Sequence, residues 1–282
     1  MSAAGPSRVE LMVVAMAREV QNGDFWAQGI ATPMTAAALM LAKRTHAPKA
    51  LIGYAIGNSI SDRAGALSIT RVEELTLTGC LRRWSFAEAT REFLPHLNPH
   101  EYLRPAQIDA TGATNNICLG PWEKPKLRLP GCGGIADVTP YSRTARLYVP
   151  RHTPKILVPT LDFRSGVGKL NREERLMAGV TGTGPVKLFT DLGVFHWPGS
   201  TMEILTLHPG VKAEEVIAAT GFSVPVPADP KITAVPTAEE LRILRDEIDP
   251  HGLRDLESLG TKERLVRLAQ VLQAEARQAA SR

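Results

Sequence analysis

The chain has 282 residues, 44% of them hydrophobic, and sets 33 Lys and Arg against 29 Asp and Glu for a formal net charge of +4. That length suits one large domain or two small ones, and basic residues spread without a Lys/Arg block or an RNA-type aromatic motif argue against a nucleic-acid partner while fitting a small anionic ligand. No run of 18 apolar residues predicts a membrane span, and three widely spaced cysteines, Cys80, Cys118 and Cys132, without a secretory segment read as reduced thiols in a cytoplasmic protein.

Apolar residues from Leu11 to Val20 follow helical spacing, with Asn22-Gly23 as the stop. Phe25 to Ile30 then reads as a buried strand, and Pro33 opens a helix over Met34 to Thr45, which makes a βα unit. Lys49 to Ile56, apolar and bounded by Pro48 and Gly57, is the next strand, parallel and buried. Val72 to Leu77 and Glu101 to Ile108 read as short strands around a helix from Phe86 to Leu94, and Leu147 to Val149, Ile156 to Val158 and Val186 to Thr190 add three more. This alternation predicts the α/β class, a doubly wound open sheet with ligands outside the carboxyl ends of its strands. Asn171 to Gly184 lacks periodicity and reads as a surface loop or a substrate-side flap. Thr237-Ala-Glu-Glu240 is a capping box for a helix carrying Leu241, Leu244 and Ile248 and ended by Asp249-Pro250. From Thr261 to Ala280, Leu265, Leu268, Val271 or Leu272, Glu275 and Ala279 keep helical register, so this amphipathic helix needs a surface to cover it. The expected organisation is an α/β domain over residues 1–256 followed by a C-terminal helical extension over 257–282.

The segment Leu129-Pro-Gly-Cys-Gly-Gly-Ile-Ala-Asp137 places three glycines in four residues, Gly131, Gly133 and Gly134. Such a turn uncovers backbone N–H groups and lets them converge on a carbonyl that becomes anionic. Cys132, inside the loop, is either a thiolate nucleophile or a small buried apolar residue. Asn115 and Asn116 follow the Thr111-Gly112 turn and either hydrogen-bond a substrate or close an Asx turn. His46, His152 and His208 stand near prolines without metal-ligand spacing, so no metal site is expected.

Several patterns occur in order: Thr45-His-Ala-Pro48, Gln107-Ile-Asp-Ala-Thr-Gly-Ala-Thr-Asn-Asn116, Leu129 to Asp137, Thr190-Asp-Leu-Gly-Val-Phe195, Leu207-His-Pro-Gly-Val211, Glu214-Glu-Val216, Thr220-Gly-Phe222 and Ile248-Asp-Pro250. From about Leu11 to Asp255 the chain resembles the beta subunit of class I CoA-transferases of the glutaconate CoA-transferase type. The resemblance implies the CoA-transferase fold, a separate alpha subunit in a heterodimer or heterotetramer, and an acyl-CoA substrate that brings coenzyme A with it, no other cofactor being bound. In that family a glutamate after the Ala-Pro pair attacks the acyl-CoA carbonyl, and the exchange runs through a covalent enzyme intermediate. Counting from Ala47-Pro48 puts that glutamate's place on Ala55, with Gly57 at the family's glycine and Asn58 beside it on the substrate side. Alanine has no nucleophile, and the nearest carboxylate, Asp62, is a solvated loop residue or a relocated nucleophile. Relatives lacking the glutamate open rings of steroid-derived acyl-CoA intermediates by hydrolysis or decarboxylate glutaconyl-CoA, and the decarboxylases carry cysteine at that strand position. The resemblance therefore implies hydrolysis, C–C cleavage or decarboxylation of an acyl-CoA without a glutamyl-CoA intermediate. The alternatives are a genuine CoA-transferase and a non-catalytic subunit that completes a partner's site. One of Arg143, Arg146 and Arg151 would face a CoA phosphate, or all three are surface charges.

Overall fold

A computed structural model of the chain describes residues 5–135, 139–140, 142 and 145–281. The chain forms two compact units, Met1–Thr90 with Val235–Arg282, and Arg91–Ala234. The C-terminal helix belongs to the first unit, whose chain leaves after residue 90 and returns at 235.

In the first unit, helix α1 (Arg8–Ala17) opens on a capping box in which Ser7 Oγ accepts the Glu10 N–H and the Glu10 carboxylate accepts the Ser7 N–H. Strands β1 (Phe25–Gln28) and β2 (Leu51–Tyr54) run parallel, with Phe25 beside Leu51 and Gln28 beside Tyr54. Helix α2 (Pro33–Arg44) joins them. Its Pro33 is pre-set for the first turn, and Met34 to Lys43 are all buried, as a helix apolar on every face must be. Strand β3 (Ser59–Ser61) turns back antiparallel on β2, and β4 (Arg82–Arg83) follows antiparallel on β3.

In the second unit, β5 (His100–Leu103), β10 (Ala145–Val149) and β11 (Lys187–Thr190) are parallel, and β12 (Gly193–His196) and β13 (Glu203–Leu207) continue the sheet antiparallel. Strand β14 (Lys231–Ile232) closes that edge, parallel to β13. Leu147, Leu188, Phe195 and Leu157 sit in its core at no exposure. Two small hairpins complete the unit: β6 (Gln107–Ile108) with β7 (Thr114–Asn115), and β8 (Cys118–Leu119) with β9 (Leu127–Arg128).

The α/β class and the parallel β1–α2–β2 unit match expectation, and four elements differ for local reasons. Val72–Thr76 is a helix, α3, because Val72, Leu75 and Thr76 repeat at i, i+3 and i+4 while Glu73 and Glu74 favour a helix N-terminus. Glu101 to Ile108 is broken at Arg104-Pro105 into β5 and β6, since proline has no N–H for a ladder. Ile156 to Val158 makes only a bridge to Ile108 through Leu157, hemmed in by Pro154 and Pro159. The expected loop 171–184 contains a helix, Arg172–Ala178, capped reciprocally by Asn171 and Glu174 and ended by Gly179 in the left-handed conformation.

Candidate active site

The position that the sequence assigns to the nucleophile follows β2 in the first unit. Ala55 is exposed, and its N–H is bonded to the Gln28 carbonyl at 3.1 Å, so its methyl stands just past the carboxyl ends of two parallel strands. The turn from Ala55 to Asn58 needs left-handed backbone at Gly57 (φ +80) and Asn58 (φ +47). A Cβ on Gly57 would also lie 2.4 Å from a Leu77 methyl, so this glycine is fixed by the turn's conformation and packing. The Asn58 carbonyl accepts the Trp84 N–H at 2.9 Å. Asp62 is exposed beyond β3. Beside Ala55, Tyr54 and Ile56 line a cleft of about 140 Å³ together with Gln28, Thr32, Leu67, Arg71 and Leu75. Behind the wall of this cleft, Gln28 Oε1 and the Tyr54 hydroxyl are buried with no hydrogen-bond partner among the described residues, and burial pushes the Tyr54 phenol above its ordinary range. Sequence reasoning passed over both residues, because a polar side chain closing a short buried strand carries no spacing signal.

The glycine loop lies in the second unit, after the β8–β9 hairpin. Gly131 (φ +116) and Gly134 (φ +83) adopt the left-handed conformation, and a Cβ on Gly131, Gly133 or Gly134 would meet no atom of the described residues within 4 Å. The Gly131 N–H is bonded to the Asn116 carbonyl at 3.1 Å, and the Ile135 N–H to the Cys132 carbonyl at 2.8 Å. The N–H groups of Cys132, Gly133 and Gly134 have no partner among the described residues. Space and free donors therefore coincide at Gly133-Gly134, the arrangement an oxyanion requires. Ala136 and Asp137, which end the sequence motif, lie outside the described residues. The Cys132 side chain packs against the core of this unit, as a small apolar residue does. Cys118 is buried, and Cys80 is partly buried in the other unit.

Asn115 and Asn116 hold the loop rather than pointing into open space. The Asn115 amide donates to Gln107 Oε1 and to the Cys118 carbonyl, both at 2.7 Å, and its oxygen accepts the Ile117 and Cys118 N–H groups. Every hydrogen-bonding position of that side chain is thereby taken. Asn116 accepts the Ala106 N–H at 2.7 Å and donates to the Arg104 carbonyl at 3.3 Å. In the same hairpin Asp109 accepts from the N–H groups of Thr111 and Ala113 and the Thr111 hydroxyl, and Gly112 (φ +80) leaves no room for a Cβ against Pro185 and Trp197. The motif from Gln107 to Asn116 thus shapes the support on which the glycine loop rests.

His152, buried where β10 ends, lies between Thr190 Oγ1 at 3.1 Å and Thr220 Oγ1 at 2.8 Å. Because the Thr220 hydroxyl donates to the Val216 carbonyl at 2.7 Å, hydrogen-bond balance puts the His152 proton on Nε2 and leaves Nδ1 to accept from Thr190. Burial holds this imidazole down at about 4. His208 bridges Thr233 and the Thr190 carbonyl, and His46 reaches the Val20 carbonyl at 3.0 Å, so all three histidines brace turns. Arg146 is buried beside His100, Arg151 is exposed, and Arg143 lies outside the described residues. Asp249, from the Ile248-Asp-Pro250 motif, is a buried cap for the Leu253 and Arg254 N–H groups and an ion partner of Arg254. No group of three potential ligands capable of holding a metal ion occurs among the described residues, and no helix there is long and apolar enough to cross a membrane.

The Coenzyme A transferase family model matches residues 9–219. A 3-oxoadipate CoA-transferase subunit from Pseudomonas knackmussii is 32% identical over 249 residues, covering 84% of this chain and 91% of that protein. The cholesterol ring-cleaving hydrolase IpdB subunit of Mycobacterium bovis is 28% identical over 258 residues, covering 89% of this chain and 98% of that one. Among solved structures, the decarboxylase AibA/AibB superposes with a TM-score of 0.77 at 27% identity, over 89% of this chain and 98% of the other. The match to the family model extends over most of the chain, and by that measure the chain belongs to the Coenzyme A transferase family.

Proposed function

We propose that the chain is the beta-type subunit of a two-subunit acyl-CoA enzyme that works by hydrolysis, C–C cleavage or decarboxylation, without a glutamyl-CoA intermediate. The observation that carries this reading is Ala55, a methyl group at the strand end to which the resemblance assigns the family's nucleophile. Covalent catalysis on this chain at that position has no atom to run through. The Gly133 and Gly134 N–H groups remain available to a thioester oxygen, where they stabilise the negative charge that develops during water attack or loss of an adjacent carbon. The acid or base comes from the alpha subunit or from a carboxylate of the substrate. A relative named as a ring-cleaving hydrolase and a structural neighbour named as a decarboxylase both support chemistry other than transfer, and the pairing AibA/AibB supports an alpha partner.

Transfer of CoA is the second reading, favoured by the 3-oxoadipate CoA-transferase relative, with the carboxylate supplied by Asp62 or the partner. One experiment separates the two. The co-expressed pair is incubated with acyl-CoA and then with hydroxylamine or borohydride, and this chain is weighed by mass spectrometry. No adduct is expected on wild type, whereas Ala55→Glu gains a trappable adduct and slow CoA exchange. An acyl or CoA adduct on the wild-type chain overturns the first reading, and CoA exchange lost in Asp62→Ala establishes the second.

A further inference from the structure

We propose that a second cavity of the first unit, walled by the segment from Arg63 to Leu75, by Pro250-His251 and by the end of the C-terminal helix (Thr261–Ala280), binds the phosphate of a phosphorylated small molecule. The inference goes beyond the acyl-CoA reading above and stands without it. Local contacts build the cavity. Glu275 accepts the Ile69 and Thr70 N–H groups, both at 2.9 Å, which ties the segment to the helix, and Gln278, one turn further on, lines the space. The Leu67 N–H is bonded to the Ile248 carbonyl at 2.7 Å, which brings Pro250 and His251 to the same walls. Arg63 lies against Gly79, where a Cβ would collide with the guanidinium, so the glycine leaves that cation its place. His251 and Gln278 lie beyond residues 9–219 of the family match, so part of this wall comes from outside the matched region.

The unpaired groups on these walls are mainly donors. Among the described residues the Arg63 guanidinium makes no ion pair or hydrogen bond, and the His251 imidazole and Gln278 amide have no partner. The backbone N–H groups of Ala64, Gly65 and Ala66, all on the walls, are equally free. Successive free N–H groups next to an unpaired guanidinium form a donor set that suits an oxyanion. The one carboxylate among the described lining residues, Glu74, is engaged, with both oxygens 3.4 Å from Arg71 Nη1. Arg63 and Arg71 therefore outweigh it. A phosphate monoester brings nearly two negative charges and three acceptor oxygens, enough to meet the guanidinium and the N–H groups together, where a carboxylate brings two oxygens. At about 230 Å³ the cavity exceeds the roughly 150 Å³ that takes a benzene, so a sugar-sized group fits beside the phosphate.

The test uses the full-length chain with its alpha-type partner, titrated calorimetrically with two matched pairs, ribose 5-phosphate with ribose and CoA with 3′-dephospho-CoA. In at least one pair the phosphorylated member is expected to bind at least about tenfold tighter than its counterpart, the effect of a charge-assisted contact. Arg63→Gln reduces that preference to about twofold or less, and Glu74→Gln, which takes a negative charge off the wall, increases it. A preference in the ribose pair marks a free phosphate ester as the occupant, and a preference in the CoA pair alone marks the coenzyme's own phosphate. No preference in either pair, one that survives in Arg63→Gln, or one that shrinks in Glu74→Gln overturns the inference and leaves the acyl-CoA reading intact. Failure of CoA and its dephospho form to bind overturns that reading instead and leaves this inference to the ribose pair.

Discussion

The three loop glycines are not interchangeable, and the difference makes one of them a clean probe. Gly131 and Gly134 lie at φ values that strain any side chain, whereas Gly133 does not, and no atom of the described residues lies within 4 Å of the Cβ position of any of the three. Gly133→Val is therefore expected to fold with an unchanged melting temperature, while its branched side chain covers the donors at the mouth of the loop. Loss of one oxyanion donor costs on the order of 3 kcal/mol in barrier, so kcat of the two-subunit enzyme should fall about a hundredfold. Gly134→Val adds backbone strain and should lose stability as well as rate. Kinetics and thermal melts on the same preparations check this, and wild-type kcat in Gly133→Val would remove the loop from the chemistry. On the proposed reading Ala55 matters for the side chain it lacks, and that is visible only because the resemblance, counted from Ala47-Pro48, assigns a carboxylate to this place.

Elements with a capping or periodic signature were legible in the chain, and elements specified by pairing were not. The capping box at Thr237–Glu240 and the α2 helix behind Pro33 stand where spacing puts them. The equivalent box at Asn171–Glu174 was hidden by the Gly and Arg content around it. Strands β3, β4, β12 and β13 escaped because they are only two to five residues long, too short for an alternation to stand out in the sequence. The same limit applied near Ala55: the glycine loop could be read locally, but the pairing of Gln28 with Tyr54 shows only when β1 and β2 come into register. The C-terminal helix, Thr261–Ala280, docks through only part of the stripe read from its sequence. Val271 and Glu275 are buried, whereas Leu265 and Leu272 stay exposed. Glu275 accepts the Ile69 and Thr70 N–H groups, both at 2.9 Å, and the Thr70 hydroxyl at 2.6 Å, so the helix docks within its own unit through a carboxylate. Glu275→Ala should destabilise the chain by about 1–2 kcal/mol, because it removes the partner of two partly exposed backbone donors. Leu265→Ala should cost less than about 0.5 kcal/mol. Denaturant melts decide, and equal effects would mean that Leu265 has a partner.

At the scale of the whole chain, each unit carries its own response to acid. In the first, burial alone would raise Glu10, but hydrogen bonds from Arg245 and Ser7 and the nearby Arg254 hold it at about 2. Its stabilisation is complete above the ordinary carboxylate value of 4.5 and is lost as pH falls toward 2. In the second unit two groups act with opposite sign. His152, held at about 4 by burial, remains neutral in the folded chain while the unfolded chain takes up a proton below 6.5, so stability falls as pH drops through that window. Glu101, at the start of β5, is pushed up to about 7 by desolvation, so the folded chain keeps its proton after the unfolded chain has released one. Its contribution is full below 4.5 and is lost as pH rises to 7, a change of at most about 3 kcal/mol at 1.36 kcal/mol for each factor of ten in proton affinity. The two slopes nearly cancel between pH 4.5 and 6.5, which leaves acid unfolding to carboxylates held low by their partners, Glu10 together with Glu240, Glu247 and Glu275. Glu101→Gln removes one of the opposing slopes. The variant should match wild type near pH 4.5 and melt higher at pH 7.5, and its own stability should decline from pH 6.5 downward, where wild type is nearly flat. Melting curves of both proteins from pH 4.5 to 8 measure the difference, and a gap that does not widen with pH would mean that Glu101 is already ionised in the folded chain.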